Sequence, residues 1–334
     1  MTAYSILDLS PIVEGSTAAA SLQNSVLLAQ HAEQIGYKRY WAAEHHNMPG
    51  VASAATSVVI GHIAGRTNSI RVGAGGIMLP NHSPLVVAEH FGTLETLYPN
   101  RIDLGLGRAP GADGNTARAL RRSMDHGDQF PEDVVELQSY LQDPTSTSQG
   151  IRAVPGEGTN VPLWILGSSL YGAQLAAHLG LPFAFASHFS PDALTQAAQL
   201  YRENFKASTQ LAKPYLMFSV NVFAADSDAQ AQFIRSSHQQ GFANVTSGRP
   251  SLLPYPVTDI EAVLDRATLN RVNHSLRCGA IGGPEKIQQQ LSELIKAHRP
   301  DELIINSPIH NHEARLQSYS IAAEAIQKIN EREN

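Results

Sequence analysis

The chain has 334 residues, with 24 Lys plus Arg against 30 Asp plus Glu for a net charge of −6, and 43% apolar against 16% charged residues. That balance describes a globular protein with a large buried core and excludes extended disorder, while mild acidity without a basic run gives no electrostatic footprint for nucleic acid or an anionic membrane. The lone Cys278 has no internal disulfide partner, no stretch nears the roughly 18 apolar residues of a membrane span, and residues 1–8 lack the charged-then-apolar order of a secretion signal, so a cytoplasmic protein is expected.

In chain order, short β-branched or apolar runs at residues 4–9, 39–43, 70–77, 102–106, 163–166, 183–187, 216–224 and 303–306 predict eight strands. Segments of helical periodicity, such as 22–35 and 170–179, lie between them. This alternation is the pattern of parallel strands joined by crossover helices. Eight such units predict an α/β fold, a (β/α)8 TIM barrel, with residues 1–334 as a single domain. A doubly wound sheet would place a glycine-rich turn straight after the first strand, and Leu9-Ser10-Pro11-Ile12 has none.

Two regions break the rhythm and predict insertions before the fifth and eighth strands. Residues 142–162 are rich in Ser, Thr, Gly and Pro and read as a long surface connection. Residues 242–258 carry Gly248, Pro250, Pro254 and Pro256. Long loops of this kind serve as lids or have no role in chemistry, and both readings are open for residues 252–255.

Barrel active sites form at the C-terminal ends of the strands. There the sequence sets Glu44-His45-His46, Pro80-Asn81-His82, Gly107-Arg108, Gly167-Ser168-Ser169, His188 and His310-Asn311-His312. Any one of these histidines reads more simply as a packing or loop residue, whereas the set together points to function. Gly167-Ser168-Ser169-Leu170-Tyr171-Gly172 falls where a strand turns into a helix, and unpaired N–H groups at a helix N-terminus favour an anion. Serine is also an ordinary helix cap. Arg108 strengthens the anion reading, since a guanidinium clamps phosphate through parallel charge-assisted hydrogen bonds. In Gly73-Ala74-Gly75-Gly76 the missing side chains leave room either for a flat ligand or for close packing. Gly107 and Gly111 would permit close approach of a ligand.

These motifs, in this order and spacing, resemble the bacterial luciferase-like family of flavin-dependent monooxygenases, whose members are (β/α)8 barrels using FMN or a deazaflavin coenzyme. The resemblance covers nearly the whole chain and is strongest over residues 40–111 and 162–182. It is carried by Ala43-Glu44-His45-His46, by Val72-Gly73-Ala74-Gly75-Gly76-Ile77-Met78-Leu79-Pro80, and by Arg101-Ile102-Asp103-Leu104-Gly105-Leu106-Gly107-Arg108. The chain looks most like the stand-alone bacterial oxidoreductases of this family.

The resemblance implies a catalytic group of His45, supporting the flavin hydroperoxide, with Glu44 and His46 beside it. It implies a cis peptide between Gly75 and Gly76 against the flavin ring, and a phosphate cradle of Arg108, Ser168, Ser169 and Tyr171 with N–H groups through Gly172. It further implies reduced FMN delivered by a separate flavin reductase, a deazaflavin coenzyme as the alternative, an apolar small-molecule substrate and a homodimer. The light-emitting subunit carries a reactive cysteine just before the phosphate arginine. Here that position is Gly107, so aldehyde-linked light emission is not expected. No metal is expected in the leading reading. One rival is a metal-dependent hydrolase on the same barrel using Glu44, His45, His46, His188, His310 and His312, although adjacent His45 and His46 point apart on an extended backbone. The other is a non-catalytic flavin-binding protein.

Overall fold

The computed structural model describes residues 1–108, 114–120, 129–143 and 150–332. Gly111 and part of the 142–162 connection therefore lie outside the described residues. The elements run β1 (Ala3–Asp8), α1 (Ala18–Gln34), β2 (Arg39–Ala42), α2 (Thr56–Ala64), β3 (Arg71–Met78), α3 (Pro84–Leu97), β4 (Ile102–Gly107), α4 (Gly114–Ala119), α5 (Phe130–Leu141) and β5 (Leu163–Gly167). There follow α6 (Leu170–Leu179), β6 (Phe183–Phe185), α7 (Leu194–Asn204), β7 (Leu216–Ala224), α8 (Asp228–Thr246), α9 (Arg266–Ser275), β8 (Gly279–Gly282), α10 (Pro284–His298), β9 (Glu302–Asn306) and α11 (His312–Arg332).

Neighbouring strands from β1 to β7 pair in parallel, and β9 pairs with both β7 and β1. The sheet closes into an eight-stranded parallel barrel, which rules out the open doubly wound sheet. The ninth strand, β8, was not legible in the sequence. It pairs with residues 221–224 of β7, on the edge that β6 occupies lower down, because Asn221 also faces Asn306 of β9 on the opposite edge. Four residues reading Gly-Ala-Ile-Gly carry too little β-branched character to announce a strand. Among the described residues no helix is long and apolar enough to cross a membrane.

Side chains alternate between the two faces of each strand. On β1, Ile6 joins the outer layer beneath the helices, while Leu7 points into the lumen with Trp41, Ala43, Trp164, Ala184, Met217 and Ile304. Trp41 and Trp164 meet edge to face at 5.1 Å, and Trp164 meets Tyr215 at 5.6 Å. The lumen is a packed apolar plug whose floor is ionic. Buried Arg39 donates from Nη1 to Asp103 at 2.7 Å and from Nε to Glu302 at 2.8 Å, and lies 4.7 Å over the Trp164 ring. Arg71 adds a second bridge to Asp103 at 2.7 Å. On the outer side, Asp8 ties β1 to α11 through Arg315 at 2.5 Å and to α1 through Ser25 at 2.7 Å. With the bottom sealed, the C-terminal end is left as the open mouth.

Candidate active site

At the end of β2 the extended alternation carries into the loop. Arg39, Trp41 and Ala43 form the lumen-facing series, and His45 is next in that register. Glu44 and His46 take the opposite side together. The buried Glu44 carboxylate accepts from His46 Nε2 at 2.7 Å and from His82 Nε2 at 2.9 Å on one oxygen, and from the Met78 N–H at 3.2 Å on the other. His82 follows a short 3-10 turn over Leu79–Asn81 at the end of β3. Burial works against the Glu44 anion, but its interaction with His82 and the hydrogen bonds from His46 and the Met78 N–H hold its pKa below the usual carboxylate range. Burial pushes the His45 pKa down despite the pull of Glu44, so His45 is neutral at pH 7.

The sequence singled out Glu44, His45 and His46, and the structure brings Glu44 and His46 into contact. His82 was noted only as a mouth residue, because the 35 residues between it and His46 carry no signal of their pairing.

The Met78 N–H ties this cluster to the glycine stretch of β3. The Gly75–Gly76 peptide is cis, and the register between β3 and β4 shifts between Ala74 and Ile77. A Cβ on Gly75 would lie 2.8 Å from Leu7 Cδ1 and 3.0 Å from Trp41 Cβ, and one on Gly76 would lie 2.7 Å from the Gly105 carbonyl oxygen. The requirement for glycine therefore comes from packing against neighbouring strands.

Across the mouth, Gly107 of β4 pairs with Leu166 of β5, which sets Arg108 beside the start of α6. Its guanidinium lies 4.1 Å over the Tyr171 ring. Ser169 caps α6 in an extended conformation without a side-chain hydrogen bond to the helix, leaving first-turn N–H groups for a ligand. Gly172 and Gly167 let helix and strand touch, since a Cβ on either would come within 3.3 Å of the other's Cα. Ser168 is half-buried and Ser169 exposed at this corner.

Two further histidines follow, one just after β6 and one on α8. Ser219 on β7 lies within hydrogen-bonding distance of the Phe185 carbonyl at 3.1 Å and hydrogen-bonds His188 Nδ1. The Ser219 contact holds the ring in place through Nδ1. Burial, with the nearby His238 and His45, lowers the His188 pKa to about 3. His238, on α8 beside Phe223, is also lowered to about 3 by burial. Nothing in the sequence flags it, since it occurs mid-helix.

Of the residues of the hydrolase reading, the structure brings Glu44 and His46 into contact, while His310 and His312 have other surroundings. His310 bonds the Glu14 carbonyl at 3.1 Å and stacks on Tyr255 at 4.2 Å, and His312 lies at the start of α11. The loop over residues 252–255 is pinned beside the mouth. Leu253 exchanges backbone hydrogen bonds with Ile12 and Glu14, both at 2.9 Å.

The chain matches the family model described as luciferase-like monooxygenase over residues 3–298. It is 50% identical to the luciferase-like monooxygenase of Escherichia coli K12 over 98% of both chains. It is 33% identical to the N-acetyl-S-alkylcysteine monooxygenase of Bacillus subtilis, again over 98% of both. The crystal structure of apo-MsnO8 superposes with a TM-score of 0.89 at 36% identity, covering 98% of this chain and 99% of that one. More distant structures at 15% identity share the fold alone. They include the oxygenating constituent of 3,6-diketocamphane monooxygenase in complex with FMN, TM-score 0.70 over 98% of both chains, and an F420-dependent secondary alcohol dehydrogenase, TM-score 0.65 over 97% of this chain and 99% of that one.

Proposed function

The chain belongs to the luciferase-like monooxygenase family, and from that premise we propose that this enzyme is the oxygenating component of a two-component system, using reduced FMN from a separate flavin reductase and O2 on an apolar small molecule. The observation that carries the reading is the meeting, in one barrel mouth, of a glycine-walled strand end, a histidine–carboxylate cluster and a cationic corner at a helix N-terminus. The donor set fits FMN. Arg108, the Ser168 and Ser169 hydroxyls and the first N–H groups of α6 would hold a single phosphate. Tyr171 stacks under Arg108 and restrains it. The Gly75–Gly76 backbone at the mouth end of β3 would lie against the ring, its lack of side chains being required by the close packing of Leu7, Trp41 and Gly105 around it.

Reduced FMN, when bound, supplies two electrons to O2, so that one oxygen atom goes to the acceptor and the other leaves as water. The neutral His45 ring is suited to take up and return the proton this requires. Glu44 keeps His46 and His82 oriented through their Nε2–H groups. The apolar lumen below excludes water.

The test is an anaerobic titration of the flavin-free protein with FMN, reduced FMN and coenzyme F420, followed by admission of air with wild type and His45→Asn. Preferential binding of reduced FMN, with reoxidation altered by His45→Asn, is the expected result. Preference for F420 would replace oxygenation by hydride transfer, and failure to bind either would overturn the site.

A further inference from the structure

We propose that Glu44, His46 and His82 form a binding site for one divalent transition-metal ion of the zinc class. Glu44 Oε1, His46 Nε2 and His82 Nε2 all lie within 4.8 Å of one another. Both imidazole nitrogens are aimed at the same carboxylate oxygen, at 2.7 and 2.9 Å. A zinc-class ion sits about 2.0–2.2 Å from nitrogen and oxygen ligands. Ligand atoms on a tetrahedral ion of that size lie roughly 3.3–3.6 Å apart, so each ring must back away from Glu44 Oε1 by about half an ångström and the two ring nitrogens must close on each other by up to about 1.3 Å, movements within reach of side-chain rotations at a partly exposed loop.

Two imidazoles with one carboxylate suit zinc, cobalt, nickel or iron rather than calcium or magnesium, which take oxygen ligands. The Met78 N–H on the second carboxylate oxygen is the kind of outer contact that orients a ligating carboxylate. Among the described residues no Lys or Arg is paired with Glu44, so its charge is available to a cation. The ring side chains are 18% and 32% exposed, which leaves a path for the ion and room for water in the remaining positions. On binding, each ring passes its Nε2 hydrogen to Nδ1, and the ion replaces the two hydrogen bonds to Glu44. This set differs from that of the hydrolase reading, since His82 takes the place of His45, His188, His310 and His312; it shares Glu44 and His46 with the flavin reading, and Co2+ binding to the flavin-free protein tests it separately from flavin binding.

The experiment is a Co2+ titration of the purified, flavin-free protein, followed by visible absorption and by calorimetry. Wild type should bind one equivalent with a ligand-field band. The His82→Ala and Glu44→Gln variants should each bind more than tenfold more weakly, while His90→Ala, an exposed histidine on α3, should behave as wild type. His82→Ala removes a partly exposed loop side chain, and its thermal melt confirms that it remains folded. Absence of Co2+ binding in wild type would overturn the proposal. So would a band that survives at wild-type affinity in both ligand variants.

Discussion

Arg108→Ala isolates the role of the cationic corner. The guanidinium is exposed and lies 4.1 Å over Tyr171, a contact worth roughly 0.5–1 kcal/mol at an exposed position. Its hydrogen bonds to a phosphate would contribute about 1.5–3 kcal/mol. Removing it should therefore lower FMN affinity by roughly 1.5–3 kcal/mol, or about 10- to 150-fold at 1.4 kcal/mol per factor of ten. Tyr171→Ala removes the ring under Arg108, a restraint worth about 0.5–1 kcal/mol and roughly 2- to 5-fold. Riboflavin has the same ring and no phosphate, so its affinity should stay within about twofold of wild type in both variants, the ordinary scatter for uncoupled changes. Flavin fluorescence titration with the two ligands measures this directly. An Arg108→Ala protein that loses FMN and riboflavin affinity equally, or loses neither, would refute the phosphate role.

Three further outcomes follow from the packing and the buried charges. Arg39→Met leaves Asp103 and Glu302 buried with their remaining partners only; removing one member of a buried ionic network costs about 3–5 kcal/mol. At about 2.1 cal/mol/K per residue of unfolding entropy, this lowers the melting temperature by roughly 4–7 °C, readable by calorimetry. Gly105→Ala sets a Cβ 2.3 Å from the Ala74 carbonyl oxygen and 2.7 Å from Leu166 Cδ1. Overpacking of this kind costs about 1–3 kcal/mol, and a melting temperature equal to wild type would contradict the close β3–β4 approach. Acid should weaken the fold in two stages. His188 and His238 have folded pKa values of about 3 and His312 of about 4, so the unfolded chain binds more protons below pH 6.5. Stability then falls by up to about 1.4 kcal/mol per pH unit for each histidine. Asp8, Asp103 and Glu44 are held below their ordinary pKa values, and their contribution, full above those values, is lost only as pH falls below about 4 toward their lower folded pKa values. A urea midpoint that is flat from pH 7 to pH 5 would contradict the neutral buried histidines.

By itself the sequence determined what repeats locally. Apolar runs of period two, separated by helical segments, specified the barrel, because alternation and helical periodicity are properties of neighbouring residues. The same register placed Glu44, His45, His46, Arg108 and Ser168 at strand ends, and it sent His45 to the opposite side of the chain from Glu44 and His46. What only the tertiary structure decided is which of these residues meet. His82 reaches Glu44 from the next strand, Ser219 on β7 fixes the ring of His188, and Asp8 finds Arg315 after 307 positions. The short β8 exists because β7 offers it an edge. The glycines at 75, 76 and 105 are required by strands that approach from elsewhere in the chain. Closing a barrel brings sequence-distant strand ends around one mouth, and that convergence, set by backbone pairing across the sheet, has no local periodicity by which a single sequence could reveal it.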